Sequence, residues 1–244
     1  MMIPADTLKK VDAYWASYFD VSAADLAGEE TRVVPHSALA GFDGALVFRR
    51  GRACIVSVPE STPEIERLKL RAAKAAEAFD PKFLAKVFVI SPDRVTGPAW
   101  LGIADRADFK SAKSSARVLV DADEQALEML AEGCGEHAWK QSKLLEVRKP
   151  LFGLFVGKDL AAVSGYVVLG NVLAYIGVIA HPAHRGKGHA KAVVSSAVAD
   201  AFSKGYVAQW RTPEANEGAV SLAKAMGFQH YASTYDVQLV ETEF

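Results

Sequence analysis

Between Val172 and Phe202 an apolar run, VLAYIGVIA, gives way to HPAHRGKGH and then to AKAVVSSAVADAF. Two glycines and two cations stand between a stretch of strand character and one of helix character. Ala190, Val193, Val194, Ala197, Val198, Ala201 and Phe202 recur at three- and four-residue spacing, which predicts a helix with one face packed on a sheet. The first turn of such a helix leaves backbone N–H groups without partners, and the dipole adds positive charge there. A phosphate satisfies both. Gly186 and Gly188 permit close approach and positive φ, and Arg185 and Lys187 add charge at the mouth. The stretch is neither a GxxxxGK[ST] loop nor a full GxGxxG fingerprint. The plainer alternative is a strand-to-helix connection whose glycines only make the turn.

The surrounding pattern predicts an α/β chain. A helix is expected near 5–19, a hairpin over Gly44–Pro59 turning at Arg50-Gly51, and a helix capped by Thr62 with Pro63 first. Its apolar face is read as Ile65, Leu68, Ala72, Ala75, Ala76 and Phe79. KVFVIS (86–91) and AWLGIA read as strands, and DRADFKSAKSS (105–115) reads as a linker. Beyond it come a strand at 116–120, a helix capped by Asp121 and helical character over 135–146. A hairpin follows across Lys158-Asp159, then the 172–180 strand after a Gly170-Asn171 turn. A strand at 206–210, a helix capped by Asn216 and two strands near 228–232 and 235–240 complete the pattern. The implied division is 1–110 and 116–244.

Half of the 244 residues are hydrophobic and the net charge is −1, so a sizeable core is expected and disorder is not. Residues 1–115 carry 16 basic and 15 acidic side chains, and 116–244 carry 12 and 14. Neither balance suits a nucleic-acid partner. The two cysteines, Cys54 and Cys134, give no disulfide framework and no metal site. No signal peptide or apolar membrane span is recognised, so a cytoplasmic protein without a membrane partner is expected.

Arg185-Gly186-Lys187-Gly188-His189-Ala190 resembles the [Q/R]-x-x-G-x-[G/A] signature of the GNAT N-acetyltransferase superfamily, with His181-Pro182 just before it. NEGAVSLAKAMGF (Asn216–Phe228) resembles that family's second motif. The resemblance covers about 125 residues. It implies a GNAT-like acyl-CoA N-acyltransferase fold, a mixed α+β sheet, with an additional N-terminal α/β subdomain. It implies acetyl-CoA as cosubstrate, held by backbone N–H groups of Gly186, Lys187, Gly188, His189, Ala190 and Lys191 beside Arg185. Val178, Ile179 and Ala180 would pair with the pantetheine arm, and an N–H there would polarise the thioester carbonyl. Asn216 would touch the same arm or serve only as an N-cap.

The family often carries a tyrosine acid in its second motif; Ala223 stands there in this chain. Tyr231 and Tyr235 are the nearest tyrosines in sequence that could substitute, and both also suit strand packing. For the base, Tyr175 and His181 share a face of the 172–180 strand, Glu214 follows the next strand, and Glu136 and His137 lie in the second helical stretch. The expected activity is direct acetyl transfer in a ternary complex to a primary amine of unknown identity. A non-catalytic acyl-CoA-binding or regulatory module is the rival, and a longer acyl-CoA a third reading. The first half resembles a degenerate copy of the fold in topology alone; shaping the acceptor pocket, binding a second ligand and forming a homodimer face are all open to it.

Overall fold

The computed structural model describes residues 3–39, 41–147 and 150–239. Its first elements are α1 (Ala5–Phe19), α2 (Ala23–Ala27), β1 (Thr31–Pro35), β2 (Gly44–Arg50), β3 (Ala53–Val58), α3 (Glu64–Ala72), α4 (Ala75–Ala78), α5 (Pro81–Phe88) and β4 (Val95–Ala104). Then come β5 (Arg117–Val118), α6 (Glu124–Cys134), α7 (Glu136–Gln141), β6 (Phe152–Val156), β7 (Asp159–Leu169) and β8 (Leu173–Ala180). The last are α8 (His189–Ser203), β9 (Val207–Pro213), α9 (Glu217–Ala225) and β10 (Gln229–Gln238). The fold is mixed α/β, as expected. It divides into a central unit, built on Gly102–Arg211 and Ser221–Gln229, and an amino unit, built on Ala5–Leu101, Thr212–Val220 and the described residues 230–239.

In the amino unit the strands run β1-β3-β2-β10, with β1 parallel to β3 and the other pairs antiparallel. β2 and β3 are near-continuous apolar runs because both faces are covered. On one face α1 lays Trp15 and Phe19 on Phe48, with ring centroids 5.0 and 5.3 Å apart. On the other, Leu70, Leu84 and Phe88 pack on Val47, Val56 and Val237.

Three expectations are corrected here. KVFVIS is not a strand: its first three residues finish α5. Asp80 caps that helix by accepting from Lys82 and Phe83 N–H, Pro81 takes the first position, and Leu84, Ala85, Val87 and Phe88 are buried at helical spacing. The β-branched content of the run gave way to that cap and that face. The helix after Pro63 breaks at Ala73, whose carbonyl accepts from the buried Thr31 hydroxyl at 2.8 Å. Its inward residue is Leu70, while Ile65 and Leu68 are exposed. The two expected last strands are one, β10; the end of the second, Val240, lies outside the described residues.

In the central unit the strands run β9-β8-β7-β6-β5. α6 and the turn after α7 cover one face through Leu130, Leu144, Leu160, Val163 and Ile179. α8 covers the other through Ala192 and Val193 against Leu154 and Ala162. The strand expected over 116–120 is only Arg117–Val118, and α6 begins after a short 3-10 turn rather than at Asp121. The polar segment 105–115 has no helix or strand. It is nonetheless fastened: Lys110 N–H donates to Met226 O (2.9 Å), Gln229 to Asp108 (3.0 Å), and Ala112 N–H to Ser195 Oγ (2.8 Å).

That segment passes so close to Gly227 that a Cβ there would lie 2.2 Å from Asp108 O, and Gly227 has φ +92. Gly227→Ala is therefore expected to destabilise the chain by roughly 2 kcal/mol or more, read from urea unfolding; no change would mean the strap is not held there. A second expectation concerns acid. Arg117 donates to both oxygens of Asp123, and with the Val120 N–H this holds the Asp123 carboxyl down to about 2. A depressed carboxyl contributes stability above its ordinary value of 3.8 and loses it as pH falls toward about 2. The stability gap between the wild type and Arg117→Gln should shrink over that window, as measured by denaturation at stepped pH.

Candidate functional site

β8 is paired with β7 over its whole length, from Leu169↔Leu173 to Ala162↔Ala180. Its parallel ladder with β9 stops at Tyr175↔Gln209. From Ile176 to Ala180 one strand edge therefore has no partner in that ladder. Ile179 is buried, whereas Val178 and Ala180 are half-buried. Gly177 lets the Ser142 carbonyl approach: a Cβ there would sit 2.5 Å from it.

Past Ala180 the chain makes one 3-10 turn, Pro182–His184. His181 N–H is tied to Ala161 O (2.9 Å), and His181 Nδ1 accepts from Ala183 N–H (3.2 Å). Arg185 Nε donates to Ala180 O and Lys187 Nζ to Ala183 O, both at 3.2 Å, so the two cations brace the loop they flank. Gly186 and Gly188 have φ +75 and +81. No atom lies within 4 Å of a Cβ built at either, so it is the left-handed backbone that calls for glycine. Gly188 caps α8 without a side chain. The first-turn N–H groups of a fifteen-residue helix thus open beside an exposed Arg185–Gly188 segment. This arrangement suits a phosphate: glycine backbone, helix N-terminus, two cations and a free strand edge lie in one run of chain.

The corresponding strand-to-helix loop of the amino unit has the opposite polarity. In residues 59–63 it is the carbonyls that converge, and Arg67 donates to Pro59 O (3.0 Å), Glu60 O (2.7 Å) and Thr62 O (3.0 Å). That loop holds a cation of its own chain.

The other candidates fall as follows. Asn216 Oδ1 accepts from Ala219 N–H at 3.1 Å, as an N-cap of α9 does. Ala223 is fully buried. Tyr231 is buried, and its hydroxyl donates to Asp12 at 2.8 Å; burial pushes it well above the usual phenol range. Tyr235 is buried against Phe79, and burial first, then Glu214 and Asp80, raises its hydroxyl. Tyr175 is half-buried on β8. His181 lies against α6, where a Cβ at Gly133 would meet its Nε2 at 2.4 Å. Glu136 pairs with Lys140 at 2.6 Å, and His137 with Gln141 at 2.8 Å.

Glu214 has company that sequence reading missed. Its Oε1 accepts from Ser233 Oγ (2.7 Å), which lies 3.0 Å from His230 Nε2. A carboxylate only accepts, so Ser233 gives its proton to Glu214 and receives one from His230 Nε2. No local signal announces this trio, because β10 brings it together from a distant part of the chain. Among the described residues no group of three or more His, Cys, Asp or Glu is placed to hold a metal ion, and no helix is long and apolar enough to cross a membrane.

Residues 119–228 match the model of the acetyltransferase (GNAT) family. No curated protein matches the chain. Among solved structures, one of the GNAT family from Novosphingobium aromaticivorans is similar at 24% identity and TM-score 0.47, covering 58% of this chain and 63% of that one. A GNAT-family acetyltransferase from Colwellia psychrerythraea shares 19% identity at TM-score 0.49, covering 59% and 57%. A Salmonella typhimurium chain solved with acetyl-CoA as its cofactor shares 16% identity at TM-score 0.40, covering 55% and 98%. The match thus spans less than two thirds of the first two of these structures.

If Asn216 acts as a cap, Asn216→Ala should cost about 1 kcal/mol of stability and Asn216→Ser should recover most of it. Thermal unfolding of both variants tests this; equal losses in the two would rule out capping as its role.

Proposed function

We propose, from the premise that residues 119–228 are a GNAT acetyltransferase domain, that the protein moves an acetyl group from acetyl-CoA to a primary amine by direct transfer in a ternary complex. The observation that carries the reading is the left-handed Gly186–Gly188 loop opening onto the α8 N-terminus beside the free edge of β8. Acetyl-CoA supplies an acyl group already activated as a thioester. The chain's part is to hold and polarise. Backbone N–H groups from Gly186 to Lys191, with Arg185 and Lys187 flanking, take the pyrophosphate. Of Val178, Ile179 and Ala180, the first and last turn their main-chain groups to the open edge and offer strand hydrogen bonds to the pantetheine amides, while Ile179 is bonded to Val163 of β7 and holds the strand between them; a β8 N–H aimed at the acyl oxygen stabilises the charge that gathers there as the amine attacks. Because the loop is braced through Arg185 and Lys187, these donors are set in place before ligand arrives.

Ala223 favours a second reading, a module that binds acyl-CoA without turning it over. No hydroxyl stands at the position where the family often carries its acid, so protonation of the leaving thiolate has no donor from that side chain. A thiol of pKa near 8.5 leaves without full protonation, so transfer is slowed rather than prevented. Release of free CoA thiol with a panel of small amines separates the two readings.

Acetyl-CoA at roughly 100 times its Kd should raise the unfolding free energy by about 2.7 kcal/mol. Gly188→Glu, which puts a carboxylate where the phosphates belong, should abolish that rise while circular dichroism stays unchanged. An unaltered rise in the folded variant would show that the loop is only a connection.

A further inference from the structure

We propose that α3 is the contact surface of a weak two-fold homodimer, in which α3 of one copy lies antiparallel on α3 of a second copy. This helix has two apolar sides. Leu70 is buried in the core of the amino unit. At 3.6 residues per turn, Ile65, Leu68 and Ala72 fall on the opposite side, and all three are exposed, Ile65 by 60% and Leu68 by 52%. A surface helix normally carries polar residues on that side. Among the described residues, the large hydrophobic side chains exposed in the amino unit are Phe42, Ile65, Leu68 and Val89. Two of them thus stand one turn apart on one helix face.

The charges beside that face point to what covers it. Glu64 and Glu66 lie in the first turn, and Lys69 and Arg71 in the last. Arg67 is not free to join them, because its guanidinium is taken by the carbonyls of Pro59, Glu60 and Thr62. Two acids and two bases balance. An anionic membrane calls for a basic polar face and does not fit, nor does a partner strongly charged with one sign. The pattern asks for its own reverse, and α3 supplies that when turned end for end. With the two-fold axis beside Leu68, Leu68 meets its own copy, Ile65 meets the second copy's Ala72, and Glu64 meets the second copy's Arg71 in both directions. Within one chain Arg71 already donates to Glu64 at 2.8 Å, and both side chains are exposed, so each is open to a further partner. An isologous contact uses every such pair twice. One nine-residue helix covers well under the roughly 800 Å² a side of a standard interface, so the dimer forms only at high concentration.

The surface lies in the amino unit and does not rest on the acetyl-CoA reading. The test is sedimentation velocity of the full chain from about 1 μM to about 1 mM, the span of micromolar to millimolar dissociation constants. The sedimentation coefficient is expected to climb from the monomer toward the dimer value. Leu68→Asp should hold the chain at the monomer value throughout. Glu64→Arg and Arg71→Glu should each weaken self-association by about tenfold, because each turns two symmetry-related contacts repulsive. An equal mixture of these two variants should associate again, since each then carries the charges that complement the other. The two charge variants carry the test if Leu68→Asp does not fold. A wild type still monomeric at about 1 mM, a dimer left intact by Leu68→Asp, or a mixture no more associated than either charge variant alone would each overturn the proposal.

Discussion

β8 is paired on both edges only from Leu173 to Tyr175, and beyond that point the ladder with β9 is gone. A strand edge and a helix first turn are the two places where backbone polar groups lack partners within their own element. Here they are eight residues of chain apart, joined by a loop that left-handed glycines fold back on itself. The arrangement leaves a line of main-chain donors and acceptors running from Ile176 into α8. A linear molecule that carries amides at one end and phosphate at the other matches that order. The side chains of the loop serve the same end: Arg185 and Lys187 hold its own carbonyls, which removes competing acceptors and stiffens the donors.

The amino unit shows what the same strand-loop-helix order becomes without glycine. The loop after β3 presents carbonyls, and Arg67 fills them. Sheet, helices and a buried aromatic stack are all present, and the anion cradle is not. Fold and site are thus separable within one chain: the layered α/β packing follows from apolar patterning, while the cradle depends on backbone conformations at two positions.

Legibility in the sequence follows the same division. α1, α8 and α9 are readable because each keeps one helical period along its length, and the β2–β3 hairpin, β7 and β8 because they are apolar runs bounded by turn residues. The loop was readable because glycine, cation and helix start sit side by side. KVFVIS reads as a strand from its β-branched residues, but the Asp80-Pro81 cap just upstream commits its first three residues to α5. Ile65 and Leu68 misled because α3 stops where Thr31, far earlier in the chain, takes the Ala73 carbonyl. The Asp12 partner of Tyr231, the Ser233 partner of Glu214, and the unpaired nitrogen of His184 are not readable at all. Each depends on a contact between segments far apart in sequence or on burial, and a single sequence records neither.

The most direct test of the central claim is backbone amide resonance mapping of the whole chain during titration with CoA. The account predicts the largest shifts at Gly186, Lys187, Gly188, His189, Ala190 and Lys191, with a second group at Val178, Ile179 and Ala180. Shifts confined to the amino unit, with these amides unmoved at saturation, would contradict it.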